Sequence, residues 1–379
     1  MGKFIFIGLL FFLTGVGLYA SPLSCSQLEE CDPASNERLS DKPEFVWGFD
    51  AGSPVISTPL IHGRVVYFTG FEGGVYALDS DSGAVVWEKD LQRELGFQIA
   101  INDGLVLVPT GFNRGKGGHL IAMDRITGEE KWRFKTDKVE GFDNPTIHND
   151  MVIVSTTSRP GRLYAIDLET GEEIWRQSAT GGTKKPIIYG GSLYHQDGYN
   201  SVYSLSLEDG EIQWKYNASL KGDISFSTPV ADTCCIYALV ADYNSGGIAK
   251  IDRADGVEIG FFPVESFSIS SISMEDGVLF FGDDGKNRVG PEGHMNAMDA
   301  TNGKIIWRAR VGGFVRGAAT IEGDLVYFGS VDNHMYAVDR SSGEIQWRYE
   351  AGDMINSKPV VVGGRLLFGS VDGHVYVLE

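Results

Sequence analysis

The chain has 379 residues, 42% of them hydrophobic, enough for a large core arranged as one repeat domain or as two or three ordinary ones. Its 51 Asp and Glu against 32 Lys and Arg leave a net charge of -19, which disfavours a sequence-independent grip on nucleic acid or on anionic lipid. With 49 Gly, 21 Phe, 15 Tyr and 7 Trp, and no long helical stripe after the N-terminus, the composition points to short strands joined by tight turns.

In chain order, residues 1–20 come first and read as a signal peptide: Lys3 gives a basic start, FIFIGLLFFLTGVGLY an apolar stretch, and Ala20 a small residue suited to cleavage before Ser21. The apolar run is shorter than the ~20 residues of a spanning helix, so removal is expected rather than a retained anchor. Residues 21–42, rich in Ser, Glu, Asp and Pro, read as a flexible arm. Within the arm, Cys25 is a candidate lipid site, although Pro22-Leu23-Ser24 before it resembles a bacterial lipobox poorly. If no lipid is attached, Cys25 with Cys31 is the simplest disulfide among three possible pairings of the four cysteines.

From residue 43 onward the chain repeats itself. The tryptophans fall at Trp47, Trp87, Trp132, Trp175, Trp214, Trp307 and Trp347, at intervals of 39 to 45 residues except for one of 93. Near the middle of that gap the phrase returns as AKIDRADGVEIG, with Gly260 in the place of Trp, so eight periods are present. Each period carries four apolar segments, as in VISTPLI, RVVYF, VYALD and AVVWEKD, separated by turn-rich pieces. Four strands per period make a propeller blade, and the nearly continuous apolar strands suit sheets covered on both faces. The chain starts with a Trp strand, EFVWGFD, and ends with its missing predecessor, VYVLE. The predicted fold is therefore all-β, an eight-bladed β-propeller over residues 43–379, closed by pairing the Trp47 strand with the C-terminal strand.

Within the phrase, Asp79, Asp124, Asp167, Asp252, Asp299 and Asp339 are expected to accept backbone N–H groups in the following turn, with a Gly four residues later at positive φ. The indoles are expected to lie between blades as structural docking residues. The pattern A-x-D-x-x-[TS]-G-x-x-x-W resembles the tryptophan-docking repeat of the pyrroloquinoline quinone (PQQ) propellers over residues 44–379. That family holds quinoprotein alcohol dehydrogenases and a non-enzymatic periplasmic branch of BamB type. Length, export signal, acidity and compact periods are similar to the second. The resemblance implies a non-catalytic envelope scaffold with no cofactor, exported to the periplasm, attached to the outer membrane if Cys25 carries a lipid, monomeric, with an envelope protein as partner. It contacts no nucleic acid, and meets membrane only through a lipid at Cys25. The alternative is a PQQ-dependent dehydrogenase, which needs calcium held by carboxylate and amide oxygens and flat surfaces about the quinone. A further alternative is a propeller that binds carbohydrate or another small ligand in its channel.

Other constellations carry less. Cys234 and Cys235 invite comparison with the vicinal disulfide of the dehydrogenases, but alignment by repeat puts Cys235 in a second strand, where a small apolar residue packs. His119, His294, His334 and His374 share one repeat position and are expected to be exposed turn residues, too widely spread for one metal ion. The segment GFNRGKGGH (111–119) lacks the context of a phosphate loop and reads as a hairpin, matched by a second long excursion at 282–294. First strands open with Asp143-Asn144, Lys184-Lys185, Arg316 and Ser357-Lys358. Asn144, Lys185, Arg316 and Lys358 are the candidate channel-mouth binding residues; no catalytic or metal residue is assigned.

Overall fold

A computed structural model of the chain describes residues 43–111, 117–136, 141–157, 161–178, 185–218, 227–241, 246–264, 270–284 and 292–379. The signal peptide, the arm, Cys25 and Cys31 lie outside the described residues. Every regular element described is a β-strand, and the strands form eight antiparallel sheets of four. In seven of them the four strands follow one another in the chain; blade 1, for example, comprises Leu60–His62, Val65–Thr69, Gly74–Asp79 and Val85–Asp90.

The eighth sheet is built from both ends of the chain. Its order is Phe45–Asp50, His374–Leu378, Arg365–Gly369, Val360–Val362. Trp47 stands opposite Val377 and Phe49 opposite Val375, and Glu44 and Glu379 exchange two backbone hydrogen bonds of 2.9 and 3.0 Å. The expected closure is therefore present, and it leaves neither terminal strand without a neighbour.

The burial of each strand follows its residues. Second and third strands, such as Leu325–Gly329 and His334–Asp339, are buried almost throughout, as sheets sandwiched between neighbouring sheets require. Fourth strands are outer edges: in Val85–Asp90 only Trp87 is buried, while Glu88, Lys89 and Asp90 face water and discourage pairing with other chains. The apolar core lies between blades. One cluster joins Phe280, Met295 and Trp307 of blade 6 to Val326, Phe328 and Tyr336 of blade 7.

In blades 1 to 5 and in blade 7 the turn after the third strand supplies the floor on which the preceding blade's indole rests. Asp79 accepts hydrogen bonds from the N–H groups of Asp81 and Ser82 and from the Ser82 hydroxyl, and Gly83 takes φ of +70°. A Cβ on Gly83 would lie 2.8 Å from the Trp47 ring, so glycine is needed there for close approach as well as for its dihedral. The Trp47 indole N–H donates to the Ser80 carbonyl at 3.0 Å. The same bond joins Trp87 to Arg125, Trp132 to Leu168, Trp175 to Leu207, Trp214 to Arg253 and Trp307 to Arg340. Trp347 is as buried as Trp307, at 7% exposure, but its indole N–H has no partner among the described residues. Hydroxyl and amide donors of their own turns hold the carboxyls of Asp79, Asp124, Asp167, Asp299 and Asp339 below the ordinary carboxylate range; that of Asp124, bonded by the Thr127 amide and by Lys131, is lowered to about 2.

Blade 5 replaces the indole rather than leaving a hole. In the ladder Gly260 stands opposite Lys250, as Trp87 stands opposite Ala77, so the Trp and its small partner have both changed. The Lys250 ammonium lies 5.5 Å from the Tyr237 ring centre and donates to the Ala300 carbonyl at 3.1 Å, the repeat equivalent of the carbonyl that accepts from an indole elsewhere. Phe262 covers Gly303, the docking glycine of blade 6. A shallow hollow lined by Pro263, Val264, Ile305 and Arg308 is what remains at this junction.

The candidate site at the channel mouth

First strands are the innermost of each blade, and the residue two places before the strand lines the central channel. These positions hold Thr58, Gln98, Asn144, Lys185, Thr228, Ser271, Ala318 and Lys358 in ring order. Three neighbouring pairs are linked in one direction: Thr58 N–H donates to the Gln98 amide oxygen, Gln98 N–H to the Asn144 amide oxygen at 2.6 Å, and Thr228 N–H to the Ser271 hydroxyl at 3.4 Å. A second set of latches lies inside the strands: Thr146, Ser273 and Thr320 donate their hydroxyls to the carbonyls of Pro186, Ala319 and Pro359 in the next blade, at 2.7, 2.6 and 2.5 Å. Asn144 is thus part of the interblade bonding, and its own N–H is taken by Asp143 at 2.7 Å.

Lys185 and Lys358 occupy this same position in blades 4 and 8, which face each other across an eight-membered ring. Burial lowers the Lys185 ammonium from its ordinary pKa. Burial also lowers that of Lys358, and the charge of Lys185 lowers it further. By its surface Lys358 is exposed to solvent and Lys185 is half-buried. Arg316 sits elsewhere. It aligns with Asn356, two residues before the channel-lining position, is exposed, and lies 5.9 Å from the Phe314 ring centre. Lys184 lies outside the described residues.

Two side-chain groups differ from what the sequence suggested. Cys234 and Cys235 form a disulfide, so they are more than packing atoms, although Cys235 is fully buried in the core between blades 5 and 6. Asp232 accepts from both cysteine N–H groups, at 2.9 and 2.8 Å. The histidines are also not simply exposed. His119 is buried, and burial lowers its pKa, with the charges of Arg93, Arg133 and Lys135 acting in the same direction. His294 Nδ1 is 3.0 Å from Asp283, and His334 Nδ1 is 2.8 Å from the Asp332 carbonyl. The four do not converge: among the described residues the one group with the spacing of metal ligands is Asp232, Cys234 and Cys235.

Sequence reasoning missed a polar network at the base of the 282–294 excursion. Buried Asp283 receives His294 and, at 2.9 Å, the amide of Asn296, whose oxygen accepts from Arg308 at 2.8 Å. The signal was Asn296 itself, which stands where five other blades have Tyr. The 111–119 segment is anchored as a hairpin by Thr110, which exchanges backbone and side-chain bonds with His119 at 2.8 Å; residues 112–116 lie outside the described residues.

PQQ and calcium fit this mouth poorly. None of the eight channel-lining residues is a carboxylate or an aromatic, whereas calcium takes 6–8 oxygen ligands and the quinone needs flat walls. The vicinal disulfide is misplaced for a clamp at this mouth. It sits where first and second strands join, beside the Asp252 turn, at the opposite end of the strands from Lys185 and Lys358.

Comparison with known proteins follows the same line. The protein of Francisella salina named outer membrane protein assembly factor BamB is 26% identical over 101 residues, which is 27% of this chain and only 18% of the length of that relative. Its namesake in Burkholderia pseudomallei is 24% identical over 321 residues, 76% of this chain and 79% of the relative. Among solved structures, BamB from Moraxella catarrhalis superposes with a TM-score of 0.70 at 18% identity, covering 89% of this chain and 97% of that one. The quinohemoprotein alcohol dehydrogenase from Comamonas testosteroni superposes with 0.72 at 17% identity, covering 89% and 76%. At such identities the superpositions show the shared fold alone. The model described as outer membrane protein assembly factor BamB matches residues 41–93, 71–158, 116–273 and 269–379, which together span the whole propeller, and the chain belongs to that family.

Proposed function

We propose that the protein is a non-catalytic scaffold of the cell envelope that acts through protein–protein contacts in outer-membrane protein assembly. The family match across residues 41–379 carries this reading. Residues 1–20 export the chain, residues 21–42 tether the propeller, and the propeller meets an envelope protein as a monomer. The poor fit of the channel mouth to PQQ and calcium supports a role without cofactor and weighs against the dehydrogenase reading.

Affinity capture of the full-length protein from envelope extracts tests the proposal. Outer-membrane assembly proteins are the expected co-purifying species, and a cytochrome in their place overturns it. A second arm adds PQQ with calcium and follows cofactor absorbance and alcohol-dependent dye reduction. Reduction above the blank restores the dehydrogenase. The mass of the mature N-terminal peptide separates a lipidated Cys25 from one bridged to Cys31.

A further inference from the structure

We propose that the channel mouth between Lys185 and Lys358 binds a small polyanion carrying carboxylate or phosphate groups. The inference is independent of the scaffold reading. It begins from the ring of channel-lining positions, where Thr58, Gln98 and Thr228 donate backbone N–H groups to the neighbouring side chain. An ammonium has no acceptor, so lysine cannot receive such a bond. At the junctions into blades 4 and 8 the blades are latched instead by Thr146 to Pro186 and Thr320 to Pro359. The two lysines are thus freed from the structural task of their position, and a packing role does not explain them.

Their charge is also uncompensated. The chain has 51 acidic residues against 32 basic ones, yet no described carboxylate forms an ion pair with either lysine. Lys185 and Lys358 stand at the same position of opposite blades, the charge of Lys185 disfavours the charged form of Lys358, and an anion between them removes that repulsion. A channel concentrates their field, which attracts small anions despite the net charge of -19. Two cations with no aromatic plane among the eight lining residues suit a compact anion better than a flat cofactor.

Calorimetric titration of the full-length protein with citrate and, separately, with inorganic phosphate at constant ionic strength tests the site. The wild type should bind one or both anions saturably with one site per chain, and the stronger of the two assigns the class. Lys185→Met and Lys358→Met should each weaken binding by roughly tenfold or more, the scale of one charge-assisted contact, whereas the distant Lys131→Met should not. Saturable binding by the wild type is a readout that needs no variant. Absence of saturable heat with both anions overturns the proposal, as does binding that the two channel variants leave at wild-type strength.

Discussion

At the residue scale, each repeated side chain owes its place to one local demand, and exceptions to the repeat make those demands measurable. Trp307 and Trp347 are equally buried, but only Trp307 has its indole N–H bonded, at 2.7 Å to Arg340. Trp→Phe at the two positions removes similar apolar area, so the difference isolates the hydrogen bond. Trp347→Phe should therefore cost about 1 kcal/mol less than Trp307→Phe in denaturant melts; equal costs would show that the bond carries no net stability. The turn carboxylates make a second test. Asp339 accepts from the amides and hydroxyls of Ser341 and Ser342, which lower its pKa from 3.8. A depressed carboxyl contributes stability above its unfolded pKa and loses it as pH falls through the folded value. Asp339→Ala should thus be destabilised at neutral pH, and its gap from the wild type should narrow below about pH 4. A gap that persists unchanged to pH 2 would assign the loss to packing instead. The Asp and Gly of the turn were legible from their types alone. That the glycine also serves as the floor for an indole of the preceding blade was not legible, because it is a contact between residues a whole period apart.

At the element scale, blade 5 shows how far the repeat tolerates substitution. The sequence disclosed that Gly260 lacks the indole, but not what takes its place, since Lys250 and Phe262 act across a strand pair and across a blade boundary. Lys250 sits in the small-residue position and reaches the Ala300 carbonyl that an indole would otherwise engage. The pair is therefore coupled. Lys250→Ala alone leaves a gap over Tyr237 and an unpaired carbonyl, and Gly260→Trp alone sets a broad ring against the lysine stem. Each single change should lower the melting temperature. The double variant should recover part of the loss, giving a coupling energy of about 1 kcal/mol in a double-mutant cycle. Strictly additive losses would mean that Lys250 does not stand in for the indole. The same scale explains why Cys234 and Cys235 were misjudged: repeat alignment put Cys235 in its strand, while the bond between adjacent sulfurs depends on local geometry that spacing does not encode.

At the scale of the whole molecule, the ring has one junction that differs from the other seven. Everywhere else the fourth strand of a blade is held by covalent chain on both sides. In blade 8 the strand Phe45–Asp50 is held by its ladder to His374–Leu378, by Trp47 against Gly83 and by the Ser80 carbonyl, with covalent continuity only into blade 1. This arrangement was readable in the sequence from the mismatch of its two ends, because a one-strand offset has no other means of satisfying both edges. The energetic consequence is positional. An interior truncation such as Trp175→Ala removes a comparable indole, about 3–5 kcal/mol by the usual cost of Trp→Ala, from a strand that cannot detach. Trp47→Ala removes the same contact from a strand that can, so the loss should appear as local opening before global unfolding. In hydrogen-exchange mass spectrometry, peptides covering 43–51 and 374–379 of Trp47→Ala should exchange much faster than in the wild type while blades 2 to 6 keep their protection. Trp175→Ala should instead weaken protection across blades 3 and 4 and leave the closing strands as slow as before. Uniform loss of protection in both variants would mean that the ring unfolds as one unit with no weaker junction, and the closing ladder would then be as cooperative as any interior blade.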